Sequence, residues 1–354
     1  MPDISRIYPD DRQAMEKLDR LLAGEGIRRD ANLDYICGIY DDSYSLIATG
    51  SCFGNTLRCF AVDHDHRGEG LLNTIVSHLM DYQQMRGNSH LFLYTKCSSA
   101  RFFRDLGFYE IARVENSVAF MENQRKGFAG CLERFRRETD MANGDLARKG
   151  GTVAAIVMNA NPFTLGHQYL VEKAAGECGL LHLFLVSEDA SLVPFAVREH
   201  LVREGTRHME NVILHASGPY IISQATFPSY FQKDDDDVSR SHALLDVTVF
   251  GMIAKELGIT CRYVGEEPFS QVTGIYNQVM EEQLPKAGIE CIVVPRRQRN
   301  GTAISASGVR ELLKKGDFHA LADLVPPATL EYFRCKEAGP VLENIRRAGN
   351  VVHH

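Results

Sequence analysis

Short apolar runs alternate with helix-like segments through the second half of the chain, and this alternation restricts its fold most. Residues 153–158, 181–186, 212–214, 261–264 and 291–294 are strand-sized apolar runs, and a segment of helical periodicity follows each of them. Parallel strands need helical crossovers, so the pattern predicts a parallel sheet with helices on both faces. Ligands of such sheets bind beyond the carboxyl ends of the strands.

The first half of the chain indicates a different, α+β arrangement. Residues 35–40, 46–52 and 57–62 are β-rich and separated by Asp, Ser and Gly, and Leu71–Met85 carries apolar residues at helical spacing. Residues 91–95 predict a strand, 98–106 a helix and 108–112 a further strand. The first half is therefore expected to hold short strands around two or three helices.

A stretch rich in charge and glycine, residues 120–151, separates the two patterns, and one solvated helix is expected within it around residues 130–140. The chain has 354 residues, more than one domain of roughly 100–200 residues usually holds. We expect an N-terminal domain over residues 1–121, a linker with a helix over 122–150, and a C-terminal domain over 151–354.

Composition excludes several classes of protein. Hydrophobic residues make up 44% and charged residues 24%, as in a globular protein, and the formal net charge of −7, with neither half basic, argues against nucleic-acid binding. The apolar runs are too short for a membrane span, and the N-terminus lacks the pattern of a signal peptide. Nine scattered cysteines without a Cys-x-x-Cys pair predict reduced thiols, so a cytoplasmic location with no membrane partner is expected.

The segment Asn159–His167 (NANPFTLGH) joins the first strand of the second half to its helix. Backbone N–H groups and the positive end of a helix at such a junction favour an anion. Gly166 would let a ligand approach the backbone, and His167 could donate to phosphate oxygens. Asn159 and Asn161 could hydrogen-bond either a ligand or their own turn.

A second segment, Ile304–Arg310 (ISASGVR), opens a helix after the strand at 291–294. The hydroxyls of Ser305 and Ser307, with Arg310 one turn later, suit the phosphates of a nucleotide. Either segment alone would more often be a plain helix start. Both in this order, each at a strand-to-helix junction, favour a nucleotide site.

The two segments resemble the Thr/His-x-Gly-His and Ile-Ser-Ser-Thr-x-x-Arg signatures of the nucleotidyltransferase superfamily. This resemblance implies a Rossmann-like domain that binds ATP, with Mg²⁺ entering with the nucleotide and no metal held by the protein itself. It implies catalytic roles for Thr164, His167 and Arg310. It implies ATP contacts from Asn159, Asn161, Phe163, Gly166, Ser305 and Ser307.

Further residues could complete the ATP site. Arg198 could reach a phosphate or a carboxylate substrate, or be a solvated helix arginine. Gly265, at a strand end, could touch the nucleotide or close a plain turn. The cluster of Arg296, Arg297 and Arg299 could hold pyrophosphate, dock an acidic partner or lie in a solvated loop.

In the first half, the segment from Arg67 to Gly70 (RGEG) lies between a strand and a helix and resembles the pyrophosphate loop of the GNAT family of N-acetyltransferases. Residues 100–108 resemble a later helix-then-strand segment of that family. The resemblance implies a GNAT-like fold that binds a CoA-like group through Arg67, Gly68 and Gly70. No general base is identifiable, so binding is favoured over acetyl transfer.

The whole chain, including Ile222–Tyr230 (ISQATFPSY) and Arg262–Pro268 (RYVGEEP), resembles the citrate lyase ligase family. The resemblance implies an ATP-dependent acid–thiol ligase that activates acetate as acetyl-adenylate. The acceptor would be the thiol of the dephospho-CoA-derived prosthetic group on the citrate lyase acyl carrier subunit, with AMP and pyrophosphate released. Two alternatives are a nucleotidyltransferase that adenylylates a small phosphate metabolite and a non-catalytic CoA or nucleotide sensor.

Overall fold

The computed structural model describes residues 3–30, 32–142, 151–187, 191–221, 235–266 and 271–348. Residues 222–230 and 267–268, which contribute to the family resemblance, lie outside these ranges, as do residues 143–150 of the expected linker. The chain divides into two compact units, Met1–Gly127 with Phe227–Leu245, and Phe128–Thr226 with Asp246–His354. Among the described helices, none combines the length and the apolar character needed to cross a membrane.

The first unit contains a seven-stranded sheet in the order β1-β2-β3-β4-β5-β7-β6. Its elements are β1 (Ile4–Ile7), α1 (Arg12–Gly24), β2 (Tyr35–Tyr40), β3 (Leu46–Phe53), β4 (Thr56–Val62), α2 (Leu71–Met85), β5 (Phe92–Lys96), α3 (Ala100–Asp105), β6 (Tyr109–Val114) and β7 (Val118–Glu122). Only β4 and β5 pair in parallel, and α2 supplies the crossover between them. Their pairing covers Thr56↔Phe92 and Leu57↔Leu93 alone, so the strands are not paired toward their carboxyl ends.

Both faces of this sheet are covered by a helix. Ile75 and Leu79 of α2 are fully buried in one apolar cluster, which includes Cys37 of β2. Leu18 of α1 lies in a second cluster with Ile36, the neighbour of Cys37 along β2. Successive residues of a strand face opposite sides, so these two clusters occupy the two faces.

The second unit is built on a parallel five-stranded sheet in the order β10-β9-β8-β11-β12. Its elements are α4 (Gly127–Ala142), β8 (Val153–Met158), α5 (Leu165–Glu177), β9 (Leu180–Leu185), α6 (Phe195–Thr206), β10 (Val212–Ala216), α7 (Asp235–Leu257), β11 (Cys261–Gly265), α8 (Gln271–Gln283), β12 (Glu290–Val294), β13 (Gln298–Arg299), β14 (Thr302–Ala303), α9 (Ala306–Lys315), α10 (Phe318–Ala322), α11 (Pro327–Arg334) and α12 (Gly339–Arg347); the first part of α7 belongs to the first unit. The first strand, β8, is central, and the strand order reverses beside it. This order creates a crevice at the carboxyl ends of β8 and β11. The prediction of an α+β part followed by a Rossmann-like parallel sheet is confirmed.

Several elements differ from the expectation. The last residues of strand β7 lie inside the stretch interpreted as a join. Helix α7 begins at Asp235, whereas the apolar pattern of the sequence indicates a helix over residues 242–257. Helix α4 is not wholly solvated, because Cys131 and Phe135 are buried and the Phe135 ring packs against Phe184. Two apolar residues four apart form a narrow stripe that the surrounding charges conceal in the sequence.

Candidate functional site

The loop after β8 ends in a reciprocal cap at the start of α5. The N–H of His167 donates to Thr164 Oγ1 at 3.2 Å, and the N–H of Thr164 donates to His167 Nδ1 at 3.1 Å. The exchange satisfies two backbone donors and holds the imidazole in one orientation. Thr164 itself is buried at the base of the helix.

The hydrogen bonding of His167 determines its chemistry. Because Nδ1 accepts a backbone N–H, the neutral ring carries its proton on Nε2. Burial, followed by the charge of Arg296, lowers the pKa of His167 to about 4. The fully buried ring of Phe163 stacks on the imidazole, with the two ring centroids 5.9 Å apart. Near neutral pH His167 is therefore an uncharged donor through Nε2.

The two signature segments touch each other. Arg310 Nη1 donates to the carbonyl oxygen of Asn161 at 2.7 Å. A Cβ atom on Gly166 would lie 3.0 Å from the carbonyl oxygen of Ile304. The starts of α5 and α9 are thus adjacent, and their combined dipoles favour an anion.

Ser305 caps α9, since its Oγ accepts from the N–H of Gly308 at 3.1 Å. The hydroxyl of Ser307 lies 3.1 Å from the hydroxyl of Ser305. Arg310 is 7% exposed, and burial lowers its pKa. The expected hydroxyls and arginine of the second signature are therefore at one helix start, and the arginine side chain holds the first signature.

Arg198 is fully buried, which contradicts the alternative of a solvated arginine. Its Nε donates to Val193 O at 2.9 Å, and its Nη1 donates to Asn159 O at 2.9 Å and to Val186 O at 2.7 Å. The guanidinium thereby joins the loop after β8 to the segment after β9. Asn161 Oδ1 adds to this connection by accepting from the N–H of Val193 at 3.0 Å.

The backbone of the loop after β8 is itself unusual. Buried Ala160 has a φ of 51°, in the left-handed region that residues with a Cβ rarely adopt. Such a conformation persists only where surrounding contacts hold it, and these residues cluster at functional sites. The bonds from Arg198 to Asn159 and from Arg310 to Asn161 supply those contacts on either side of Ala160.

The ends of β11 and β12 lie on the same edge of the sheet. Gly265 is exposed, and its carbonyl accepts from Asn277 Nδ2 at 3.2 Å. Arg296 Nε donates to the carbonyl of Glu266 at 2.7 Å, and its charge reaches His167. Arg296 therefore belongs to the surroundings of the site, whereas Arg297 and Arg299 are exposed.

Arg67, Gly68 and Gly70 lie in the first unit, at the start of α2. Gly68 and Gly70 have φ of 90° and 76°, and Gly70 caps α2 without a side-chain hydrogen bond. The side chain of Arg67 pairs with Glu25. The backbone N–H groups of this helix start have no side-chain cap, and the CoA-like ligand stays a prediction.

Within the described residues, Asp63, His64 and Asp65 place possible metal-ligand atoms within 4.8 Å of one another. The two later residues are exposed, and Asp63 Oδ1 accepts from the N–H of Asp65 at 3.0 Å as a cap. A capping role accounts for the group, and we assign no metal to it.

Sequence reasoning missed residues that hold the site from a distance. Thr329 of α11 is fully buried and donates through Oγ1 to the carbonyl of Phe163 at 3.1 Å. The N–H of Leu165 donates to Leu324 O at 2.9 Å. No local pattern marks either contact, because Phe163 and Thr329 are 166 residues apart.

Two solved structures each match about a third of this chain. An acetyltransferase of the GNAT family from Staphylococcus aureus Mu50 is 15% identical with a TM-score of 0.29, and the match covers 34% of this chain and 98% of that one. Escherichia coli ElaA is 11% identical with a TM-score of 0.31, covering 35% of this chain and 100% of that one.

Sequence comparisons cover nearly the whole chain. The family model for the citrate lyase ligase C-terminal domain matches residues 153–333. A [citrate [pro-3S]-lyase] ligase from Klebsiella pneumoniae is 38% identical over 327 residues, 91% of this chain and 93% of that protein. Its counterpart from Escherichia coli K12 is 37% identical over 339 residues, 93% of each protein. The chain therefore belongs to the citrate lyase ligase family.

Proposed function

We propose that this chain is an ATP-dependent ligase that converts acetate to acetyl-adenylate and then acetylates the prosthetic-group thiol of the citrate lyase acyl carrier subunit. The observation that carries the proposal is the contact between the starts of α5 and α9 through Arg310 and Asn161. That contact unites two helix N-termini, two capping hydroxyls and a neutral imidazole donor at the carboxyl edge of a parallel sheet. Such an arrangement suits a polyphosphate.

In the first step, a carboxylate oxygen of acetate attacks the α-phosphorus of ATP. The new O–P bond forms as the bond from the α-phosphorus to the bridging oxygen breaks, and pyrophosphate leaves with that electron pair. His167 Nε2–H donates to an oxygen of the α-phosphate, where negative charge accumulates. Mg²⁺ bound with ATP would neutralise part of the charge on the phosphates.

The second signature would bind the departing pyrophosphate. Backbone N–H groups at the start of α9, with the hydroxyls of Ser305 and Ser307, face the β- and γ-phosphates in this proposal. Arg310 adds positive charge and keeps the first signature in place through Asn161. Positioning and electrostatics suffice for such a displacement.

In the second step, the carrier's thiolate attacks the carbonyl carbon of acetyl-adenylate. The C–S bond forms, the C–O bond to AMP breaks, and AMP leaves with that electron pair, while the thiol proton passes to water. The sulfur atom that reacts is that of the carrier's prosthetic group. The cysteines of this chain have no part in the reaction.

Buried residues that were expected to touch ATP act here by positioning. Phe163 packs under His167, and Arg198 holds Asn159 and the segment after β9. Glycine at position 166 lets the two helix starts approach closely, since an added Cβ would lie 3.0 Å from Ile304 O. Gly265 stays a candidate nucleotide contact, since it is exposed at the end of β11.

In the first unit, we propose that the loop from Arg67 to Gly70 binds the CoA-like arm of the carrier. The start of α2 lacks a side-chain cap, and the neighbouring strands β4 and β5 do not pair with each other toward their carboxyl ends. Backbone donors in this position suit the phosphates of such an arm.

Exchange of labelled pyrophosphate into ATP separates this function from its rivals. The proposal requires exchange that depends on acetate and needs no carrier. Exchange that is independent of acetate and requires a phosphorylated metabolite would establish the adenylylating alternative. Nucleotide binding without exchange would establish a sensor.

A further inference from the structure

A short hairpin leads directly into the second signature. Strands β13 and β14 pair through Gln298↔Ala303 and Arg299↔Thr302. The two turn residues, Asn300 and Gly301, have φ of 51° and 77°. Positive φ at both positions is the type I′ turn of tight hairpins, so the segment is a hairpin whose arginines at 297 and 299 are exposed.

The hairpin is anchored to the site at its base. The N–H of Ile304, the first residue of the second signature, donates to the carbonyl of Arg297 at 2.9 Å. Arg296, just before β13, donates to Glu266 O, and its positive charge helps to lower the pKa of His167. Residues 296–303, here named the basic hairpin, are therefore in fixed register with the start of α9.

The other two arginines of the basic hairpin are exposed. Arg297 lies at its base and Arg299 in β13. Arg299 pairs with Asp323 at 3.2 Å, but both side chains are more than half exposed, so the pair contributes little. Arg198 and Arg310, by contrast, are buried inside the site. The exposed pair is therefore available to a large partner at the surface.

We infer that the basic hairpin docks an acidic surface of the acyl carrier protein, an inference that rests on the proposed function. The carrier must approach the edge of the sheet where α9 begins, because its thiol reacts there. A chain with a net charge of −7 repels an anionic partner except where positive charge is concentrated locally. In the proposed function the phosphates of ATP bind at the starts of α5 and α9. The exposed Arg297 and Arg299 are therefore not needed for ATP and can bind the protein partner.

The test measures binding of the apo-carrier, which lacks the prosthetic arm and so isolates the protein–protein contact. Arg297→Glu is expected to weaken binding about tenfold and to make its salt dependence shallower. The KM for the loaded carrier rises by the same factor, while kcat and acetate-dependent ATP–pyrophosphate exchange stay unchanged. Arg207→Glu, the same charge change at an exposed arginine that follows the end of α6 and pairs with Glu204, is the matched control and leaves apo-carrier affinity unchanged.

Two results would overturn the inference. Unchanged apo-carrier affinity in Arg297→Glu shows that the hairpin does not dock the carrier protein. A raised KM for ATP in the exchange reaction, with apo-carrier affinity unchanged, assigns the arginines to the phosphates instead. Wild-type protein that binds apo-carrier but shows no acetate-dependent exchange would contradict the proposed function and not the docking surface.

Discussion

At the residue scale, the orientation of His167 decides what the first signature can do. Nδ1 is occupied by the N–H of Thr164, and the pKa of the ring is lowered to about 4. The imidazole is thus neutral from about pH 5 upward. A neutral donor stabilises charge that develops on phosphate oxygens without attracting anions indiscriminately.

Replacing His167 tests this role. His167→Ala is expected to lower the rate of acetate-dependent exchange by about 10²–10³, because one donor to the transition state is lost. His167→Gln, which keeps an N–H donor, should recover part of that loss. His208→Ala, at an exposed histidine, is the control.

The pH profile of the wild-type exchange reaction completes this test. The active form of His167 is neutral, so its ionisation leaves the rate flat between about pH 5.5 and pH 8. A rate that falls as pH rises through about 6.5 in the wild type, and not in His167→Gln, would contradict a neutral donor.

Residue patterns predicted part of this site and not the rest. Thr164, His167 and Ser305 are readable because caps are local, within three residues of their partners. The clamp by Arg198 on Asn159 and the bond from Thr329 to Phe163 join residues 39 and 166 positions apart. Only the folded sheet brings such residues together.

At the element scale, helix α4 is fastened to the sheet by a buried polar chain. His182 Nδ1 lies 2.9 Å from His215 Nε2, and His215 Nδ1 lies 2.6 Å from a carboxylate oxygen of Glu138 on α4. Both histidines are fully buried, and His182 Nε2 finds no hydrogen-bond partner among the residues that the structure describes. Arg134 extends the attachment by donating to Ala216 O at 2.9 Å.

The hydrogen-bonded chain of His182, His215 and Glu138 predicts that the folded protein is less stable in acid. Burial, with a smaller effect of His215, lowers the pKa of His182 to about 3. Burial alone would raise the pKa of Glu138, but the hydrogen bonds from His215 and Arg134 together lower it below its usual value. Unfolding would let His182 take up a proton below about pH 6.5, so stability is lost as the pH falls. Thermal unfolding should therefore occur at lower temperature at about pH 5 than at about pH 7.5.

His182→Phe isolates this contribution, since the ring keeps its packing against Phe184 and takes up no proton. The slope of unfolding free energy against pH should decrease by up to about 1.4 kcal/mol per pH unit between about pH 4 and pH 6. An unchanged slope would show that His182 does not titrate on unfolding.

Elements with strong periodicity were predictable and those with mixed signals were not. Leu71–Met85 was expected as a helix and is one, because its apolar residues recur on one face. The hairpin of β13 and β14 was missed since its short strands carry charge and its turn is marked only by Asn300-Gly301. Helix α4 was expected, but not its packing through Phe135.

At the scale of the whole molecule, the two units have different architectures and, in this account, different tasks. In the proposed function the adenylation site lies at the parallel sheet of the second unit, and the loop from Arg67 to Gly70 lies in the first unit with its mixed sheet. The net charge of −7 is compatible with anionic substrates if helix starts and a few arginines bind them locally, as the proposed function requires.

The division of tasks predicts selective inhibition by free dephospho-CoA. It should compete with the loaded carrier at the first unit and leave acetate-dependent exchange unaffected. Gly68→Val, which places a branched side chain at a φ of 90°, should raise the inhibition constant about tenfold or more. Gly54→Val, at an exposed turn with a φ of 55°, controls for the strain. If Gly68→Val leaves the inhibition constant of dephospho-CoA unchanged, the carrier's prosthetic arm does not bind at this loop.

The central claim is that the joined starts of α5 and α9 catalyse adenylation of acetate. The most direct measurement is exchange of labelled pyrophosphate into ATP by the purified full chain, with no carrier present. Exchange is expected only when acetate is added, and its rate is expected to fall by about 10²–10³ in His167→Ala. Exchange of equal rate with and without acetate, or exchange unaffected by His167→Ala, would contradict it.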